Sequence, residues 1–165
     1  MPEKKAVEKA KKARREGKAP STQAGEFVRE EVHHVREGKH GARSTKQAIA
    51  IGLSKARRAG VDLPPPEKGT VSEKTRRSAE RARKSGRRGK TTASPLRSKA
   101  TERALKREGR SAASKKELSK QAHSAARRRT PSERKISAKR AARTKGRGGR
   151  SAAARKAART RARRG

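Results

Sequence analysis

Residues 24–38 read AGEFVREEVHHVREG, and the fold turns on them. Val28, Val32 and Val35 stand at i, i+4 and i+7, on one stripe of an α-helix spanning about residues 24–37. Gly38 follows as the stop, because the left-handed residue that ends a helix is least strained as glycine. Ser44 then precedes Gln47 by three positions, the spacing at which a serine and a glutamine cap the first free amides of a helix. That second helix runs through TKQAIAIGLSKARRA to another stop at Gly60. Its apolar face is Ile49, Gly52, Leu53 and Ala56, where small residues admit a close neighbouring backbone, while Ile51 points the other way. The two helices make a hairpin.

Little else in the chain offers a core. Its 165 residues carry 52 Lys+Arg against 15 Asp+Glu, a net charge of +37. Val, Ile, Leu and Phe number only 15, far below the roughly 20% under which a highly charged chain is expected to be disordered. Nine of them (Phe27, Val28, Val32, Val35, Ile49, Ile51, Leu53, Val61 and Leu63) fall within 37 residues. The expected organisation is therefore a basic N-terminal segment (1–20), the hairpin module (21–63), a proline-rich linker (64–69) and a basic tail (70–165). So few large side chains leave the hairpin marginal alone, so it is expected to meet a second copy or a partner through Val28, Val32, Val35, Ile49, Ile51 and Leu53.

Charge divides at the same place. Residues 1–69 hold 17 basic and 9 acidic residues, whereas residues 70–165 have a net charge of +29 and favour Arg over Lys by 23 to 12. Helix-start signals recur in the tail: Thr70 with Glu73, Ser94-Pro95, Ser114 with Glu117, and Thr130-Pro131 with Glu133. Gly86, Gly109 and the run 146–149 punctuate the units between them. These units are rich in Ala, Arg and Lys but lack an apolar face, since Leu96, Leu105, Leu118 and Ile136 are nearly solitary. The expected fold class is all-α: a helical hairpin followed by short basic helices, largely extended or disordered without a partner, with no compact single core.

Two resemblances attach to these segments. The stretch from Ser44 to Gly60, STKQAIAIGLSKARRAG, followed by a proline cluster, resembles the signature of a family of small basic bacterial proteins of uncharacterised function. Residues 110–116 and 151–160 are similar to the Lys/Ala/Arg-rich tails of histone-H1-like nucleoid proteins, although this tail is richer in Arg and has no strict PAKK-type repeat. Neither resemblance implies catalysis.

Chemistry narrows the function further. With no Cys there is no thiolate nucleophile, disulfide or Cys-based zinc site. No apolar run approaches the ~20 residues of a membrane span, and the N-terminus lacks the apolar core of a secretory signal. One Phe and no Tyr or Trp leave no platform for stacking bases. Residues 86–91, GRRGKT, resemble the end of a phosphate-cradling loop, but its first glycine position is Lys84 and no strand precedes it. Ser94-Pro95-Leu96-Arg97 reads chiefly as a helix start, and Arg147-Gly148-Gly149 as a hinge with a hint of RNA binding. His33 and Glu37 stand at i, i+4 beside His34 and His40 and are read as solvated polar helix residues, and Asp62 is the only Asp, with no second carboxylate to pair with it. No metal, cofactor, small-molecule substrate, membrane partner or enzymatic activity is expected.

What remains is a polycation. Neutralised phosphates release condensed counterions, and Arg adds bidentate geometry. The expected phosphate contacts are Arg76, Arg77, Arg81, Arg83, Lys84, Arg87, Arg88, Arg127, Arg128, Arg129, Arg140, Arg143, Arg147, Arg150, Arg155, Arg159, Arg161, Arg163 and Arg164. The first helix carries Glu26, Glu30, Glu31 and Glu37, which phosphate repels, so that face is expected to pair with basic residues of its own or of a partner. The expectation is binding to nucleic-acid backbone without sequence preference, in the manner of a histone-like, nucleoid-associated protein of the cytoplasm, with double-stranded DNA favoured over structured RNA. The alternatives are an RNA- or ribosome-associated factor and an adaptor that binds a protein through the hairpin.

Overall fold

The computed structural model describes residues 3–89 and 94–163. They form seven α-helices, α1 (Lys4–Arg15), α2 (Pro20–Arg36), α3 (Thr45–Arg58), α4 (Glu73–Arg87), α5 (Pro95–Lys106), α6 (Lys115–Arg127) and α7 (Pro131–Ala162), with a 3₁₀ turn at Ser111–Ala113. No strand occurs among the described residues, only an isolated bridge between Lys68 and Val71, so the protein is all-α. No helix among them is long and apolar enough to cross a membrane. The chain forms two units, residues 1–121 and 122–165.

The hairpin of α2 and α3 is the centre of the first unit. Ser44 Oγ accepts the Gln47 amide, the first half of the expected cap, while Gln47 Oε1 reaches past the Ser44 amide to accept that of Arg43. Gly38 and Gly60 end the two helices with φ of 77° and 88°. Gly52 lies where the helices touch: a methyl group there would sit 2.7 Å from Val28 Cα and 3.0 Å from the Phe27 carbonyl oxygen. α2 starts at Pro20, earlier than expected, because a proline at the first helical position loses no hydrogen bond.

The expectation of a chain without a compact core is corrected here. Two apolar clusters hold the first unit, and both draw on residues outside the hairpin. One joins Ala6 and Ala10 of α1 to Ala24, Phe27, Ala56 and Val61. The other joins Val32, Val35, Ala42 and Ala48 to Ala112 and Ala113 of the 3₁₀ turn, with Leu118 against it. Of the 15 buried apolar residues described, 11 are Ala, which is why a count of larger side chains missed the core. Ala6, Ala10 and Ala13 make a stripe of small residues on α1, the helix read from sequence only as a basic segment.

The start of the expected tail is also part of this unit. α4 packs on α3 and buries Ala79 and Ala82. A methyl on Gly86 would strike the Arg57 carbonyl, so the glycine expected to end a helix instead lets α4 approach α3. The α4 cap is Ser72, whose Oγ accepts the Thr75 amide, rather than Thr70. The loop after α2 is held by Gly41 N–H to Leu105 O at 2.9 Å and Ala42 N–H to Gly109 O at 2.9 Å. Arg36 Nε donates to Ala113 O at 2.8 Å, and Thr45 Oγ1 to Ala112 O at 2.7 Å. Residues 63–64 are clamped by Arg57, which donates to the Leu63 and Pro64 carbonyls. Burial, and secondarily the nearby Arg83, pulls this guanidinium below its ordinary pKa.

The second unit is mainly α7. Thr130 and Glu133 form a complete capping box at its start, as their spacing predicts. The helix buries no residue, and it breaks at Gly146, where φ is 63° and ψ −179°.

Candidate nucleic-acid interface

The structure separates the expected phosphate contacts into two chemically different sets. On α4, most are occupied by acidic neighbours. Glu73 accepts Arg76 at 2.8 Å and Arg77 at 3.3 Å, and Glu80 pairs with Lys84 at 3.2 Å. Asp62, at the end of the hairpin, accepts Arg83 Nε at 2.7 Å and Arg87 Nη2 at 3.1 Å. These contacts, Arg83 first, hold the Asp62 carboxyl below its usual range. Asp62 therefore ties α4 to the loop after α3. Arg81 and Arg88 are exposed with no ion pair among the described residues.

The other set has no such competition. Arg127, Arg128 and Arg129 are exposed at the end of α6. Residues 134–163 hold 13 Lys+Arg and no acidic residue. Among them Arg140, Arg143, Arg147, Arg150, Arg155, Arg159, Arg161 and Arg163 are all exposed. Glu133, the last carboxylate side chain of the sequence, is spent on the cap: the Thr130 amide donates to it at 2.7 Å and holds its pKa down. At 100° per residue the basic positions surround α7 instead of marking one face. Arg150 Nε donates to the Gly146 carbonyl at 3.3 Å, beside the break. Arg164 and the Lys90-Thr91 end of the loop-like motif lie outside the described residues.

The residues expected at a partner surface are largely used within the chain. Val35 is fully buried and Val32 nearly so, both against the 3₁₀ turn. Leu53 packs on the first cluster, while Val28, Ile49 and Ile51 are half-buried. α1 and residues 111–113 cover apolar surface that a second copy was expected to cover.

The acidic face of α2 also finds its bases internally. Glu26 pairs with Arg29 at 3.2 Å and Glu37 with Lys39 at 3.2 Å. Glu31 is fully buried, with Lys55 Nζ 2.6 Å from Oε2 and His40 Nε2 3.2 Å from Oε1. Glu30 accepts the Glu3 amide at 3.1 Å, and Glu3 accepts His34 Nε2 at 2.8 Å. His34, with Lys39 behind it, holds the Glu3 carboxyl below its usual range. Sequence reading singled out His33 with Glu37, but His33 is exposed and the groups that meet are Glu31, His34 and His40. The i, i+3 spacing of Glu31 and His34 was the available signal; the return of His40 from the loop has none in sequence.

No curated protein matches the chain, and no solved structure does. Residues 3–68, which span α1, α2, α3 and the proline-rich segment, match a family of unknown function (DUF6496).

Proposed function

We propose that the protein binds nucleic acid through its phosphate backbone, without sequence preference, and that α7 and the arginines before it make the principal contact. One observation carries this reading: residues 134–163 present 13 basic side chains with no acidic residue among them, on a helix that buries nothing. A helix of this kind gains little from water and suffers its own repulsion, which phosphate relieves. Alanine, lysine and arginine supply helix propensity without a face that requires a protein partner. With no aromatic platform and no Asn or Gln on α7 to read a base edge, contact is to backbone, which suits duplex DNA. The role is that of a histone-like binding protein that neutralises and condenses DNA, with the nucleoid as its location.

A salt titration tests this on the full chain. Replacing Arg140, Arg143, Arg147, Arg150, Arg155 and Arg159 together by Gln should lower the slope of log K against log salt for a short duplex by about 5, at about 0.9 per lost phosphate contact. An unchanged slope overturns the assignment to α7. Tight binding to structured RNA with none to duplex DNA overturns the choice of DNA.

A further inference from the structure

We infer that Glu31, His34 and His40 form a binding site for one divalent metal ion of the zinc class, buried in the first unit and separate from the basic surface. One donor atom from each of the three lies within 4.8 Å of the others. Their side chains are 0%, 12% and 14% exposed, so this is an interior site and not a chance meeting of surface groups. Two imidazoles and a carboxylate are a donor set suited to zinc and its neighbours.

The hydrogen bonds around the cluster point the same way. His40 Nδ1 lies 3.0 Å from the Gly41 carbonyl oxygen. A carbonyl only accepts, so Nδ1 carries a proton, and Nε2 is the ring nitrogen that faces Glu31 Oε1, 3.2 Å away. Two lone pairs do not face each other at that distance without a cation between them, either a second proton or a metal. At His34, Nε2 donates to Glu3 Oε1 at 2.8 Å, so Nδ1 is the ring nitrogen left to bind a metal. An imidazole that gives one N–H to a carbonyl or carboxylate and keeps a lone pair free is the orientation in which proteins present histidine to metals. Lys55 takes Glu31 Oε2 at 2.6 Å, the outer-sphere partner that a ligating carboxylate ordinarily has.

Unmet polarity at the site is the independent observation. Glu30 Oε2 is buried with no hydrogen bond, and Glu31 Oε1 is buried with His40 Nε2 as its near neighbour. Glu30 is 8% exposed, and its other oxygen is taken by the Glu3 amide. Glu3, Glu30 and His34 themselves bring donor atoms within 4.8 Å of one another, and Glu3, Glu30 and Glu31 share Lys55 and a Lys39 that also pairs with Glu37, four carboxylates against two lysines. A divalent ion compensates that excess, and its structural effect is to pin the loop at His40 to α2.

The test uses the full chain, stripped with EDTA and titrated with Co²⁺ and then Zn²⁺ in competition with a chromophoric chelator. The expected result is one ion per chain, cobalt d–d bands of a four- or five-coordinate site, and zinc-dependent shifts of the His34 and His40 ring resonances. His40→Gln, at the edge of the pocket, should lower affinity at least about tenfold without loss of helix content, and His33→Gln should leave it unchanged. Glu31→Gln should abolish binding; if that variant unfolds, His40→Gln and the ring resonances still decide. The proposal is overturned if no ion is retained, if His40→Gln binds as tightly as the parent chain, or if zinc shifts His33 or His123 instead.

Discussion

α4 and α7 are both dense in Arg and Lys and behave as different materials. α4 has only two alanines, Ala79 and Ala82, and buries both against α3, while α7 has many and buries nothing. The separating features are few. α4 carries Glu73 and Glu80 and faces Asp62, which accept five of its basic side chains. It also has Gly86 where α3 comes closest. α7 has a single carboxylate, already committed to its cap. A basic helix thus becomes packed scaffold or an unpacked, acid-free arm according to a handful of acidic residues and one glycine, not according to its charge density.

The largest expected effect is on that contrast itself. The six-fold Arg→Gln variant of α7 should lose duplex affinity by about a thousandfold or more at low salt. The variant Arg76→Gln, Arg77→Gln, Arg83→Gln and Arg87→Gln should change the salt slope by less than about 1, because those guanidinium groups already have carboxylate partners. It should instead lower thermal stability. Equal slopes for the two variants would abolish the distinction between the helices.

A second prediction concerns the first unit alone. Lys55→Met leaves Glu31 buried without its closest cation, and removal of one partner from such a pair costs about 3 kcal/mol. Denaturant unfolding should show this loss while the salt slope for DNA stays put. Parental stability in the variant would mean that His40 alone satisfies Glu31.

The alanines explain how much of this was legible. The hairpin was readable because Val28, Val32 and Val35 mark a stripe and Gly38 and Gly60 mark the ends. The Ser44 and Thr130 caps were readable because their spacing is a local rule. α1 and residues 112–113 were not, since a methyl group registers as helix propensity and not as core unless its partner surface is known. The cluster at Glu31 was missed for a similar reason. Its members come from α2 and the following loop, and only the fold of that loop over α5 brings His40 back to the helix. The expected phosphate contacts were legible as composition, but which of them are free of an ion pair depends in part on Asp62, an isolated residue with no pattern around it.

Asp62 supplies a smaller effect and a clear sign. Its folded pKa lies below its ordinary value because Arg83 and then Arg87 hold the ionised form. The contribution to stability is therefore present above about pH 4 and lost as pH falls through the folded value. Asp62→Asn should lower stability slightly at neutral pH and flatten the acid limb of the pH–stability curve, while freeing Arg83 and Arg87. Its salt slope should rise by up to about 2 if those two groups then reach phosphate. An acid limb identical to the parent chain's would remove Asp62 from the account of why α4 is scaffold.

The smallest effect tests whether shape contributes to the arm. Gly146 occupies a backbone region, φ 63° and ψ −179°, that is essentially closed to residues with a side chain. Gly146→Ala forbids the break and favours a continuous helix by about 1 kcal/mol, the propensity difference between the two residues. Far-UV circular dichroism should show more helix, and Arg150 should lose its bond to the Gly146 carbonyl. The number of basic groups is unchanged, so the salt slope should hold and duplex affinity should change by less than about fivefold. A larger loss at constant slope would mean that the bend, and not the count of guanidinium groups alone, fits α7 to its polyanion; α7 would then differ from α4 in geometry as well as in the absence of acids.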